Sequence, residues 1–138
     1  MTFDKIAFEI LETSDSVKYD PLIKAMIAFK SITAVDFYLD DYGSGYSNFL
    51  RLLSLPVSVI KFDRSILQKI RQNDKVFSTV DTNVKTFSNA GYSILFEGIE
   101  DDQDVETCKK MQVDFYQGFK FAKPSDVSIL YDFFQKAE

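Results

Sequence analysis

"LDDYGSGYSN", residues 39–48, sets two adjacent carboxylates, two glycines and two serine hydroxyls directly after the apolar run "AVDFYL" (34–39). An apolar run of strand length that breaks into a polar, glycine-rich turn predicts a strand over 34–39, with Asp40 and Asp41 at its C-terminal end. Neighbouring carboxylates each raise the cost of ionising the other, so such a doublet suits a place where a cation sits between them. The same pattern recurs along the chain. "IAFEIL" (6–11), "VSVIKF" (57–62), "YSILFE" (92–97) and "FYQGFKF" (115–121) also read as strands. Helical patterns fill the gaps over 20–30, 46–54, 64–71, 74–90 and 102–111, with a last one over 125–136 after Pro124. In the first, Asp20 is placed to cap and Pro21 to occupy the first helical position, while Asn89-Ala90-Gly91 gives the stop before the fourth strand. Strict strand–helix alternation implies parallel strands joined by right-handed crossovers, an α/β fold.

Composition narrows the chemistry. A chain of 138 residues, 46% hydrophobic, can bury one core, and residues 1–138 read as one domain. A net charge of −5 works against sequence-independent binding of DNA or RNA, which depends on a basic surface. A single cysteine, Cys108, permits no intrachain disulfide, and the sequence carries neither a signal peptide nor an 18-residue apolar span. The expectation is a cytoplasmic protein with no membrane segment. There is no histidine, which removes serine–histidine and cysteine–histidine nucleophiles and histidine-based zinc sites. Chemistry must run on carboxylates, lysine, amides and hydroxyls.

Each apolar run carries an ionisable or amide residue within it or at its C-terminal end: Glu9, Asp40 with Asp41, Lys61, Glu97 and Gln117. In parallel α/β folds the C-terminal strand ends are where ligands bind, so these residues are expected to meet. Glu9, Asp40, Asp41, Glu97 and Glu100 face one interior cation, Lys61, and divalent ions would relieve their repulsion. All-oxygen ligands select hard cations such as Mg²⁺, Mn²⁺ or Ca²⁺. Two metals roughly 3.5 to 4 Å apart are the arrangement that activates water for phosphodiester hydrolysis. In "YGSGY" the glycines allow a tight turn, while Ser44 and Ser47 could bond loop or substrate oxygens.

The segments "FEILET", "LDDYGSGYSN", "LPVSVIKFDRSI", "FEGIEDDQD" and "YQGFKFAKP" resemble the EAL domain of cyclic di-GMP phosphodiesterases. The corresponding family patterns are E-x-T-E, DDFGTGYSS, LP-x-D-x-LKIDRSF, AEGVE-x-x-x-Q and QGY-x-F-x-x-P. The resemblance runs from about residue 6 to 124, and five motifs in order are far more specific than any one. It implies a partial (β/α)8 TIM-type barrel, the last five of eight strand–helix units, and metal-dependent opening of cyclic di-GMP to linear pGpG. It also implies Mg²⁺ or Mn²⁺ as cofactor, with Ca²⁺ as an inhibitory substitute. By the same resemblance Glu9 matches a ligand of the first metal, Asp40 the bridging aspartate and Asp41 a ligand of the second metal. Lys61 matches the lysine that contacts the attacking water and the substrate phosphate. Glu97 matches a glutamate with metal or general-base duty, and Glu100 and Gln117 match residues supporting the second metal and the substrate. Glu12 matches a glutamate that shapes the loop Tyr42–Tyr46. Tyr42, Ser44, Asn48 and "FEGIE" are conservative departures.

The family's Glu-Ala-Leu motif and a metal-binding asparagine lie upstream of the segment matched by "FEILET", and a closed barrel takes about 250 residues. The expectation is therefore a C-terminal portion of an EAL domain, weakly active or inactive in isolation. Free strand edges and an uncovered apolar face near Ala7, Leu39 and Val59 predict self-association, with a dimer as the expected form. The alternative function is a non-catalytic EAL-like module that binds cyclic di-GMP or another protein. Plainer readings stand beside the sharp ones. Lys61 alone would be a strand lysine reaching solvent, Glu9 an outward edge residue, and Asp101, Asp102 and Asp104 a solvated helix start. Cys108 and the phenylalanines read as packing residues.

Overall fold

The computed structural model describes residues 6–11, 19–44 and 49–126. Five strands, β1 (Ile6–Leu11), β2 (Val35–Tyr42), β3 (Val59–Phe62), β4 (Ser93–Phe96) and β5 (Phe115–Tyr116), alternate with α1 (Tyr19–Ile32), α2 (Phe49–Ser54), α3 (Arg64–Ile70), α4 (Asp74–Asn89) and α5 (Asp102–Lys110). The strands pair in parallel and lie side by side in chain order, the α/β arrangement that the sequence pattern predicts.

Period-two alternation divides each strand between two faces. Val35, Phe37, Leu39, Ile60, Phe62, Ile94 and Phe96 pack into the core formed with the helices. The register places Glu9 beside Tyr38, Tyr38 beside Val59, and Lys61 beside Leu95 on the opposite face. Phe62 centres the core. It stacks on Phe96 with centroids 4.7 Å apart and meets Tyr42 and Phe87 edge-on at 5.1 and 6.3 Å.

Several expectations need correction. Of the three residues placed on an uncovered apolar face, Ala7 is exposed, but Leu39 points into the helix-covered core and is 2% exposed. Val59 shares the face of Lys61, yet it lies in a central strand between Tyr38 and Ser93 and is 5% exposed. The phenylalanines are not all core: Phe8, Phe29, Phe49, Phe115, Phe119 and Phe121 are exposed. The fifth strand stops at Tyr116 rather than running to residue 121, because Gly118 turns the chain and accepts from the amides of Phe121 and Ala122. A side chain at Gly118 would collide with the backbone of Ile99, so only glycine allows this approach. The first helix begins at Tyr19, which puts Asp20 in its first turn rather than at its cap. The helix expected over 46–54 is described from Phe49 onward, and the one expected over 125–136 lies almost wholly outside the described residues. Gly91, at φ 95°, ends α4 as its sequence indicates. No described helix is long and apolar enough to cross a membrane.

Phe62→Ala should lower the free energy of unfolding by about 3–5 kcal/mol, as expected for an aromatic lost from a packed core. Denaturant titration followed by circular dichroism measures it, and a loss below about 1 kcal/mol would show that this ring does not anchor the core.

Candidate metal centre at the strand ends

A strand of regular pleat would send Asp40 and Asp41 to opposite faces. They stay together because β2 is bulged. Leu39 pairs with Ile60 and Tyr42 with Phe62, so β2 spends one more residue than β3 between those points. Asp41 takes up the irregularity at φ 57°, a left-handed conformation that aspartate tolerates better than most side chains. Beyond the bulge Tyr42 returns to the helix-facing side and packs on Phe62 and Phe87. The doublet therefore belongs to a strand reaching Tyr42, longer than the run to Leu39 that its apolar residues mark.

Lys61 occupies the middle of this rim and is 2% exposed, so the reading of a solvent-reaching strand lysine is set aside. Its ammonium donates to Glu9 Oε1 at 2.5 Å and stands 2.6 Å from Glu97 Oε1 and 2.8 Å from Asp40 Oδ1. Burial disfavours its charge, but contacts with Asp40, Glu9 and Glu97 outweigh it and hold the ammonium well above the ordinary lysine range. Asp40 Oδ1 is buried and lacks hydrogen-bond geometry to any partner, although it touches Nζ as an ion pair. That oxygen retains capacity to bind a further cation. Burial raises the Glu97 carboxyl against the opposing pull of Lys61. Burial, then the fields of Asp40 and Asp63, raises Asp41.

One carboxylate oxygen from each of Asp40, Asp41 and Glu97 lies within 4.8 Å of the other two. An all-carboxylate set with a buried, incompletely satisfied oxygen fits a hard divalent cation. Glu9 reaches the same rim from the edge strand β1, its side chain 51% exposed, and joins the cluster through Lys61. The structure thus brings together Glu9, Asp40, Asp41, Lys61 and Glu97.

The remaining candidates stand apart. Ser44 is exposed and bonds Asp41 through its backbone, amide to carbonyl, at 3.1 Å. Gln117 ties two loops by backbone bonds, its amide to Phe96 O and its carbonyl to the amide of Ile99. Glu100 is exposed and lines a separate small cleft with Arg64, Gln68, Arg71 and Asp104. Among the described residues no hydrogen bond or ion pair joins these three side chains to the Lys61 cluster. Glu12 lies outside the described residues. Asp63 was missed, although it continues the parity of Lys61 at the end of β3. It caps α3 by accepting from the amide of Ser65 at 2.9 Å, and its charge acts on Asp41. Asp104 is no part of a solvated helix start: it is 3% exposed and paired with Arg71. Cys108 is fully buried, its thiol pushed up to about 12 by that burial, in line with a packing role.

A parallel sheet with carboxylates converging at its C-terminal rim places them where α/β folds bind their ligands. The chain belongs to the EAL domain family, whose profile matches residues 2–124. It is 29% identical over 119 residues to the cyclic di-GMP phosphodiesterase RocR of Pseudomonas aeruginosa, covering 86% of this chain and 30% of that protein. It is 28% identical over 120 residues to the cyclic di-GMP phosphodiesterase PdeL of Escherichia coli, covering 87% of this chain and 33% of that one. Among solved structures it superposes on the EAL domain of Mycobacterium smegmatis DcpA with a TM-score of 0.84 and 25% identity, over 94% of this chain and 58% of the other. An EAL domain protein from Listeria monocytogenes gives 0.82 and 27%, over 94% and 51%. The chain thus spans about a third of the length of these two relatives and about half of the solved chains. Its five parallel strands and the helices between them match part of the TIM-barrel-like fold of those structures.

Lys61→Met should destabilise the chain by about 2 kcal/mol at pH 7, less than the ~3–5 kcal/mol of a fully buried pair because Glu9 is half exposed. Glu97 and Asp41 have raised folded-state values, so the destabilisation that they contribute is complete above those values and fades as pH falls toward the ordinary carboxylate range. The deficit of the variant should therefore shrink between pH 7 and about 4.5 in denaturant titrations. A deficit that stays constant or widens would contradict the electrostatic account.

Proposed function

We propose that this chain is the C-terminal portion of a cyclic di-GMP phosphodiesterase domain and contributes the carboxylate rim and lysine that act on the cyclic dinucleotide. The observation that carries this reading is the convergence of Asp40, Asp41 and Glu97 within 4.8 Å beside the ammonium of Lys61. Relatives of the same family bear the name cyclic di-GMP phosphodiesterase. In the reaction one water adds to phosphorus, the bond to the 3′ oxygen breaks, and that oxygen takes up a proton, which leaves the linear pGpG.

In this reading Glu9, Asp40, Asp41 and Glu97 hold Mg²⁺ or Mn²⁺, and we assign Glu12, Ser44, Glu100 and Gln117 to contact with the substrate or support of the site. Such ions, when bound, polarise the phosphate and make water more acidic. Lys61 sets its charge against the phosphate oxygens and orients the water. Glu97, whose carboxylate stands 2.6 Å from the Lys61 ammonium, is assigned metal or general-base duty beside it. We assign residues 1–138 to a single cytoplasmic domain and its association state to a dimer. The exposed Ile6, Phe8 and Leu11 on β1 and Phe115 on β5 give an apolar border to the two edges that the sheet has among the described residues.

A second reading, a module that binds cyclic di-GMP without cleaving it, is favoured by the position of Glu9. This ligand candidate sits on an edge strand with half its side chain in solvent, where a bound ion would have the weakest hold.

Incubation of the chain with cyclic di-GMP and Mn²⁺, followed by chromatography, should yield linear pGpG only slowly, as a portion of the domain that is weakly active in isolation would, with Asp40→Asn lowering the rate at least about 100-fold. Calorimetric binding of cyclic di-GMP in Ca²⁺ without any linear product in Mn²⁺ would favour the second reading. Neither binding nor turnover would refute both. Sedimentation at micromolar concentration should give the mass of a dimer, and a uniform monomer would contradict the edge association.

A further inference from the structure

The loop from Glu97 to Asp101 joins the rim to α5 and is pinned at its centre by Ile99, which is fully buried and whose carbonyl accepts from the amide of Lys120 at 3.0 Å. The amide of Glu97 donates to Phe62 O at 3.1 Å and that of Ile99 to Gln117 O at 3.0 Å. The amide of Glu100 donates instead to a side chain, Asp104 Oδ2, at 2.9 Å. Asp104 lies in the first turn of α5, is 3% exposed, and has a use for both oxygens. Its Oδ1 receives two nitrogens of Arg71, Nε at 3.0 Å and Nη2 at 2.6 Å. Arg71 is the C-cap of α3, the helix that follows the strand of Lys61. Its Nη2 also reaches Asp101 Oδ1 at 2.7 Å, the atom that caps α5 by accepting from the amide of Asp104 at 3.0 Å.

Each Asp104 oxygen answers a different donor, Oδ1 the guanidinium and Oδ2 the loop amide, which a carboxylate can do because both of its oxygens accept. The buried charge at 104 and the arginine at 71 thus form one unit, and burial makes the pair costly to break from either side.

We infer that Arg71 and Asp104 are positioning residues that fix the backbone at Glu100, and through the short loop the carboxylate of Glu97, so that the rim is set for a divalent ion before the ion arrives. Neither residue touches Asp40, Asp41, Glu97 or Lys61 by any hydrogen bond or ion pair among the described residues. The inference rests on the metal-binding reading of the rim and names what tunes its affinity in this chain.

The test is titration of the 138-residue chain with Mn²⁺ alone, following free Mn²⁺ by electron paramagnetic resonance, with a melting curve for each protein. Asp104→Asn should raise the Kd for Mn²⁺ about tenfold, the usual scale for a group that orients a ligand from behind. Arg71→Lys, at a position one-third exposed, should raise it in the same direction while the chain remains folded, which keeps the test open if Asp104→Asn does not fold. The double variant should add little to the larger single effect, since the two residues act through one contact. Folded variants that melt at lower temperature but bind Mn²⁺ with the affinity of the parent would overturn the positioning role alone. A parent chain that binds no Mn²⁺ would overturn the metal reading and this inference with it.

Discussion

One ammonium on β3 set among carboxylates from the ends of three other strands is the constraint around which the rest of this chain is arranged. Lys61 is fixed by a strand whose residues are all buried, so its charge cannot retreat to solvent. Glu9, Asp40 and Glu97 must come to it, each from the same face of an adjacent or nearby strand. The parallel register makes this possible because it aligns the C-terminal ends of β1 to β4 along one rim. The bulge at Asp40–Asp41 supplies what a regular pleat cannot, two consecutive carboxylates serving the same rim.

Carboxylates still outnumber the cation at this rim. Glu97 and Asp41 hold their protons more tightly than ordinary carboxylates because burial and mutual repulsion are only partly offset by Lys61. Folding alone gains nothing from such an imbalance, and buried groups of one sign are usual where a ligand of the other sign completes the site. The aromatic core on the opposite face, with Phe62 stacked on Phe96, supplies the rigidity that keeps the rim in place.

Much of this was legible in the sequence, for reasons that can be named. Apolar runs of strand length and the caps between them gave the alternation of elements, and the polar residue at each run's end pointed to Glu9, the doublet, Lys61 and Glu97. What escaped depended on geometry with no local signature. The strand of Asp40 and Asp41 could not be seen to continue through a bulge, since polarity there reads as a loop. Leu39 and Val59 occupy opposite faces, and only the register tells which face the helices cover. The burial of Asp104 depends on Arg71, thirty-three residues away. Asp63 was within reach, because it continues the parity of Lys61 and precedes Arg-Ser at a helix start.

The central claim is that Asp40, Asp41 and Glu97 together hold a divalent ion beside Lys61. Crystals grown with Mn²⁺ and measured at the manganese absorption edge test it most directly. An anomalous peak bonded to oxygens of those three carboxylates is the expected result. A map with no peak at the rim, or with manganese bound only elsewhere on the acidic surface, would contradict it.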